Sequence, residues 1–296
     1  MANLLKQVRT TGKTEFTIVN MPTRINKSSA RSMDILSHIA AKHDPVTITE
    51  ISHALGIPKS SAFELLYTLI EKGYLEFADR NLKTFKLGIK VFQVGLAFLA
   101  RTDVHREARP LLEALMASCK ETAFLAVESN GQLVYLDKVE GTSSVRTSAT
   151  LGSRNPMHCT GLGKALLAAY SDSKVEEIVR AAGMPSRTEY TITKLSALQR
   201  DLETTRQRGY AIDDRESERE VFCVAASISD MSGRPVAAIS IASLASKMLG
   251  NPRRVAKFGN LIAETALSIS RRIGFTGRRL YPQRTLEVAR VASGVR

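Results

Sequence analysis

Residues 47–86 read TITEISHALGIPKSSAFELLYTLIEKGYLEFADRNLKTFK, and this stretch decides the fold. Thr47 and Glu50 have the spacing of a capping box, ahead of Ile48, Ile51, Ala54 and Leu55 at helical intervals. Gly56-Ile57-Pro58 breaks that helix. Gly56 can take the left-handed conformation that closes it, and Pro58 can open the next one. The spacing predicts a second helix over Lys59–Lys72, with Ala62, Leu65, Leu66, Leu69 and Ile70 inward and Gly73 at its end. Tyr74–Phe77 and Thr84–Leu87 read as short strands around Ala78-Asp79-Arg80-Asn81, a turn-prone link. Helix, tight turn, helix and basic hairpin make a winged helix-turn-helix.

The second helix has two unlike faces. The outer one carries Lys59, Ser60, Ser61, Phe63, Glu64, Tyr67 and Thr68, a mixture suited to phosphates and base edges in a DNA groove. Arg80, Lys83 and Lys86 of the hairpin and Arg31 of the first helix are the expected phosphate contacts. The plainer alternative is a small tri-helical domain that binds protein. The turn chemistry and the basic wing together favour double-stranded DNA.

Composition sets bounds around this reading. A chain of 296 residues holds two domains with cores of their own. No apolar run reaches the roughly 20 residues of a membrane span, and no signal-peptide core follows Lys6, Arg9 and Lys13, so a cytoplasmic protein is expected. Cys119, Cys159 and Cys223 are far apart and odd in number, which argues against a disulfide framework or a zinc finger. The net charge of +13 is a poor guide to DNA binding. Most of the excess sits in residues 1–27 and 271–296, where solvated ends explain it equally well.

Residues 1–27 show no clear period and read as a flexible basic extension. The winged domain is expected over 28–87, its first helix starting near Ser29 with Met33, Leu36, Ile39 and Ala40 inward. Residues 88–103 read as a linker helix whose apolar positions, Ile89, Val91, Phe92, Val94, Leu96, Ala97 and Leu99, exceed one narrow stripe. The second partner this demands is either the chain's own C-terminal domain or another copy of the chain. Residues 104–274 then alternate between helix and strand. A hairpin turns at Ser129-Asn130-Gly131, a possible third strand lies at Val145–Ala149, and three helices fall near Gly161–Tyr170, Asp172–Ala182 and Ala197–Arg208. Strands at Gly209–Asp213, Val221–Ser229 and Val236–Ser243 and a long helix from Pro252 to Ile273 complete an α+β domain with a mainly antiparallel sheet. Residues 275–296 read as a basic tail.

Several segments, in this order, resemble the IclR-type (isocitrate lyase regulator) transcription factors over about residues 28–270. They are Leu55–Ser61 with Leu65-Leu66, Glu71–Tyr74, Phe85–Gly88, Gly152 with Pro156-Met157-His158, Gly161–Ala168, Gly209–Asp214, Cys223–Ala226 and Ala237–Ser240. The resemblance implies a winged helix, a linker helix and a C-terminal GAF-like domain that binds a small effector, in a homodimer or homotetramer on palindromic operators. Two positions depart from many relatives. Ser61, Phe63 and Glu64 stand where Thr, Tyr and Arg are common, and Ala242 stands where some relatives have a second serine beside the one matching Ser240. Glu64 cannot contact phosphate but can accept from cytosine N4.

By the resemblance, a small organic acid should lie against Gly161 and Leu162, with Asp213, Val221, Cys223 and Ser240 around it. The free N–H groups and positive dipole end of a helix opening at Thr160 favour a carboxylate. Asp213 would repel that anion, which tilts the expectation towards a hydroxylated or phenolic acid. Ala242 adds apolar room for an aromatic or longer one. The plainer reading of Gly161-Leu162-Gly163 is tight helix–sheet packing. A Cys/His nucleophile or metal site at His158-Cys159 is disfavoured, because adjacent residues on a strand point to opposite faces. No enzyme activity, no cofactor and no metal is therefore expected. The alternative is a metal-binding or protein-interaction sensor without an organic effector.

Overall fold

A computed structural model describes residues 4–10, 13–19, 25–100, 103–142 and 149–282. The chain divides into two units, Met1–Phe98 and Leu99–Arg296, so the boundary falls inside the helix expected as the linker. In place of an extension without regular structure, strands β1 (Leu4–Thr10) and β2 (Lys13–Val19) pair antiparallel.

The first unit continues with α1 (Lys27–Ala40), β3 (Val46–Thr47), α2 (Ile48–Leu55), α3 (Lys59–Glu71), β4 (Leu75–Asp79), β5 (Thr84–Leu87) and α4 (Ile89–Ala100). The capping box forms. Thr47 N–H donates to Glu50 Oε2 at 2.6 Å, and Glu50 N–H donates to Thr47 Oγ1. Gly56 closes α2 at φ +61°, and Ser52 Oγ donates to the Ile57 carbonyl at 2.7 Å, which sets the angle to α3. Ile35, Ile39, Val46, Ile51, Ile57, Ala62, Leu66, Leu69, Leu75 and Phe85 form the core. The expected phase of α1 needs correction. Met33 is 63% exposed and Ala40 is also exposed, while Ile35 and Ile39 point inward. Ala54 of α2 is exposed too. A short helix contacting its neighbours obliquely buries a narrower stripe than its apolar spacing suggests.

The second unit contains α5 (Asp103–Cys119), β6 (Thr122–Ser129), β7 (Gln132–Val139), β8 (Arg154–Pro156), α6 (Gly161–Ala169), α7 (Asp172–Ala182), α8 (Leu195–Arg208), β9 (Ala211–Asp214), β10 (Val221–Ser229), β11 (Pro235–Leu244), α9 (Ala245–Met248) and α10 (Pro252–Arg272). Its strands form one antiparallel sheet in the order β8-β7-β6-β11-β10-β9. One face packs residues of α5 and α10, including Leu112, Phe258 and Ile262. The other packs residues of α6, α7 and α8, including Leu166, Ile178 and Leu202. The third strand considered at Val145–Ala149 lies largely outside the described residues. No helix among the described residues is long and apolar enough to cross a membrane.

The segment after α10 is not a free tail up to residue 282. Tyr281 is 5% exposed within the core, and its Oη accepts the Ser227 N–H at 3.1 Å. Register explains why this site exists. β9 begins opposite Ala225 and runs back towards Phe222, so β10 beyond Ala225 has N–H groups with no strand to take them. Tyr281 meets one, and Ser270 Oγ accepts another from Ser229 at 3.0 Å.

Candidate functional site

Two regions gather the residues singled out in the sequence. On the first, Lys59, Ser60, Phe63, Glu64 and Tyr67 are exposed along α3, with Ser61 half-buried beside them. Phe63 and Tyr67, one turn apart, stack with ring centroids 4.2 Å apart. Tyr67 meets Phe77 of β4 edge-on at 5.8 Å, and Phe77 packs on Phe85 at 5.3 Å. The outer face of α3 is thereby tied to the wing by a row of rings. At the wing tip, Asp79 Oδ1 accepts the N–H groups of Asn81 and Leu82, and Arg80 and Lys83 stand exposed. Lys86 is exposed as well. It lies opposite Glu76 in the ladder and pairs with it at 3.0 Å, so its charge is already partly answered. Arg31 is half-buried on α1.

The second region is a small cavity at the N-terminus of α6. Gly161, Leu162, Asp213, Val221, Cys223 and Ser240 all line it, with Phe124, Tyr135, Ala149, Thr160, Ser217, Glu218 and Ala242. Strand register brings them together. Cys223 lies opposite Asp213 on one side and Ala242 on the other, while Ser240 lies opposite Phe124 and Ala225. Directly opposed residues share a face, so four separate segments converge under α6.

Thr160 caps α6. Its Oγ1 accepts from Gly163 N–H at 3.2 Å and donates to the Pro156 carbonyl at 3.0 Å. Gly161 and Leu162 line the cavity, and as first-turn residues their N–H groups have no carbonyl partner within the helix. The glycines themselves serve packing, in line with the plainer reading. A Cβ at Gly161 would meet Cys223 Cβ at 3.2 Å, and one at Gly163 would strike the Met157 backbone at 2.3 Å. Gly163→Ala is therefore expected to cost about 1–3 kcal/mol by overpacking. Urea unfolding that leaves the midpoint unchanged would contradict this close approach.

Asp213 is 2% exposed, and its Oδ1 accepts the N–H groups of Glu216 at 2.8 Å and Ser217 at 3.3 Å. Burial outweighs these bonds and pushes its carboxyl up to about 7. At neutral pH the group thus carries a proton much of the time. In its protonated form Asp213 does not repel a carboxylate. Beneath it, Lys164 of α6 is ion-paired with Glu216 and lies 3.0 Å from Asp201 of α8. Burial alone would lower its ammonium, but the two carboxylates outweigh that and raise it, so it stays charged. This link ties α6 to the loop that wraps Asp213. Tyr135 and Cys223 are both raised by burial, which keeps the phenol and the thiol protonated.

His158 and Cys159 lie in the turn before α6, not on the strand that the sequence suggests. The His158 ring nitrogen Nε2 lies 3.1 Å from the Pro185 carbonyl, and burial lowers the imidazole. Burial pushes the Cys159 thiol up to about 12, the opposite of an activated nucleophile. No group of three His, Cys, Asp or Glu among the described residues could hold a metal ion. Of the cavity residues not expected from the sequence to touch a ligand, Thr160 has a usable signal as an N-cap before a glycine. Phe124, Tyr135 and Ser217 have none, because only the sheet register brings them there.

Two family models match the chain. One, described as the bacterial transcriptional regulator IclR C-terminal domain, covers residues 96–271, and the IclR helix-turn-helix domain covers 28–79. The transcriptional repressor IclR of Escherichia coli is 32% identical over 246 residues, 82% of this chain and 89% of that protein. The repressor AllR of Klebsiella pneumoniae is 34% identical over 82% of this chain and 89% of its own length. The crystal structure of Thermotoga maritima IclR matches with a TM-score of 0.70 and 30% identity, covering 84% of this chain and 99% of that one. An IclR homolog from Microbacterium hydrocarbonoxydans, crystallised with 4-hydroxybenzoate, shares the fold at a TM-score of 0.74 and 21% identity, over 83% of this chain and 99% of that one.

Proposed function

The chain belongs to the IclR family of bacterial transcriptional regulators and is a DNA-binding regulator of transcription; from that premise we propose that it reads a palindromic operator as a homo-oligomer and senses a small organic acid in the α6 cavity. The observation that carries the second half is the convergence of the six expected residues on one cavity, at a helix N-terminus. The acid's carboxylate takes the Gly161 and Leu162 N–H groups. Ser240 and the Cys223 thiol supply further donors, and Phe124, Tyr135 and Ala242 form an apolar wall. That wall suits an aromatic or short aliphatic acid. A ligand alters operator affinity only through unequal affinity for two states of the regulator. The Lys164 link between α6 and the Asp213 loop is a physical route by which occupancy biases them.

Calorimetry with a panel of small acids that includes 4-hydroxybenzoate tests the assignment. An acid that shifts operator affinity should bind at least tenfold more weakly to Ser240→Ala with Cys223→Val, as expected when two buried hydrogen bonds are removed. Undiminished affinity in that variant would put the ligand elsewhere.

Self-association rests on α4. Ile89, Phe92 and Leu96 are exposed along one side of α4, Phe92 by 60%, and Val94 is exposed on the opposite side, more apolar surface than a lone helix keeps in water. A symmetric pair would bury it and match a two-fold operator. Sedimentation at micromolar concentration is expected to show a dimer or a larger oligomer, and Phe92→Glu should shift it towards monomer. A monomeric wild type with full operator affinity would reject this reading.

A further inference from the structure

Phe63 is 45% exposed and Tyr67 39% exposed, on the helix face that carries Lys59 and Ser60. Together the two rings make a contiguous aromatic patch on an otherwise polar face. The Phe63 ring is also held still. It stacks on Tyr67 at 4.2 Å, Tyr67 is braced against Phe77, and Arg80 lies over the Phe77 ring at 5.7 Å. Beside it Glu64 is exposed, and among the described residues no cation pairs with its carboxylate. A carboxylate approaching DNA is repelled by the phosphates, and a donor on a base edge is the group that can offset this. In the major groove the cytosine N4 amino group is such a donor for Glu, and the thymine C5-methyl is the apolar group that Phe can meet.

We propose that Phe63 and Glu64 are specificity-determining residues, Phe63 packing on a thymine methyl and Glu64 accepting from the N4 amino group of a neighbouring cytosine in each half-site. Successive helical residues point about 100° apart, so the two side chains address neighbouring base pairs. The inference rests on the reading of α3 as the helix that enters the groove.

Selection of operators by the full-length protein from a randomised DNA library is the first measurement. It should return half-sites containing thymine next to cytosine. Replacing that thymine by deoxyuridine removes only the methyl and should weaken wild-type binding about fourfold, the worth of one buried methyl. Phe63→Ala should bind the thymine and deoxyuridine operators equally. Selection repeated with Glu64→Gln should change the cytosine to adenine, because a glutamine amide pairs with adenine N6 and N7. Equal wild-type affinity for thymine and deoxyuridine, or an unchanged selected base with Glu64→Gln, overturns the proposal. So does a unit thymine-to-deoxyuridine ratio accompanied by altered sedimentation of Phe63→Ala, which would assign the ring to a second protein chain. Failure of the underlying reading looks different: no sequence is enriched, and binding shows no dependence on salt.

Discussion

Changing Arg80 and Lys83 together to glutamine should flatten the dependence of operator affinity on salt by about 0.9 units of log–log slope for each phosphate left without its cation. In a dimer with two wings that is about four phosphates, and at about 0.1 M salt the affinity falls on the order of a thousandfold. The expectation comes from the wing tip. Asp79 Oδ1 holds the backbone of Asn81 and Leu82, so the two cations flank a tip of defined shape. Lys86 should behave otherwise. Its ammonium lies 3.0 Å from Glu76, so Lys86→Gln alone should change the slope by less than one unit. Glu76→Gln should strengthen binding by releasing that ammonium and removing a negative charge. Gel shifts across a salt series test all three. An intact slope in the Arg80 and Lys83 double variant would remove the wing from the interface.

Binding of an organic acid should weaken as pH rises through neutrality. Asp213 is pushed from its ordinary 3.8 up to about 7, chiefly by burial. Above that value a carboxylate ligand meets a second buried carboxylate. If the anion binds only the protonated form, its Kd is flat below pH 6, about tenfold weaker at pH 8 and about a hundredfold weaker at pH 9. Burial raises the Glu216 carboxyl as well, so the Asp213→Asn variant is what isolates Asp213. Cys223 and Tyr135 are raised by burial, and Lys164 is held charged by Glu216 and Asp201. Asp213→Asn keeps an oxygen for the Glu216 and Ser217 N–H groups and should flatten the curve. The same proton affects stability. The folded value lies above the unfolded one, so the native state holds the extra proton. Its contribution is full below about 3.8 and is lost as pH rises towards 7. A wild-type binding curve flat from pH 6 to 9, or one whose slope persists in Asp213→Asn, would show that Asp213 does not face the acid.

The winged helix is legible in the sequence because its signals are local. Thr47 with Glu50, Gly56 with Pro58, and Gly73 each act through bonds or dihedrals within four residues, which no distant group needs to supply. Strand and helix limits in the second unit follow from periodicity for the same reason, and the order of short segments is enough to identify the family. The phase of α1 is not legible. Met33 and Ile35 are both apolar, and which one turns inward depends on the angle at which its neighbours cross it. The ion pair between Lys86 and Glu76 needs the register of β4 on β5. Tyr281 reads as part of a tail, because nothing local marks it as the acceptor for an N–H left open beyond the reach of β9. The cavity shows the division most clearly. Gly161, Asp213, Cys223 and Ser240 can be named from motifs, but Phe124, Tyr135 and Ser217 join them only through antiparallel register. The titration of Asp213 belongs wholly to the tertiary structure. Its charge is a property of the sequence, while its pKa depends on how much water the folded chain removes from around it.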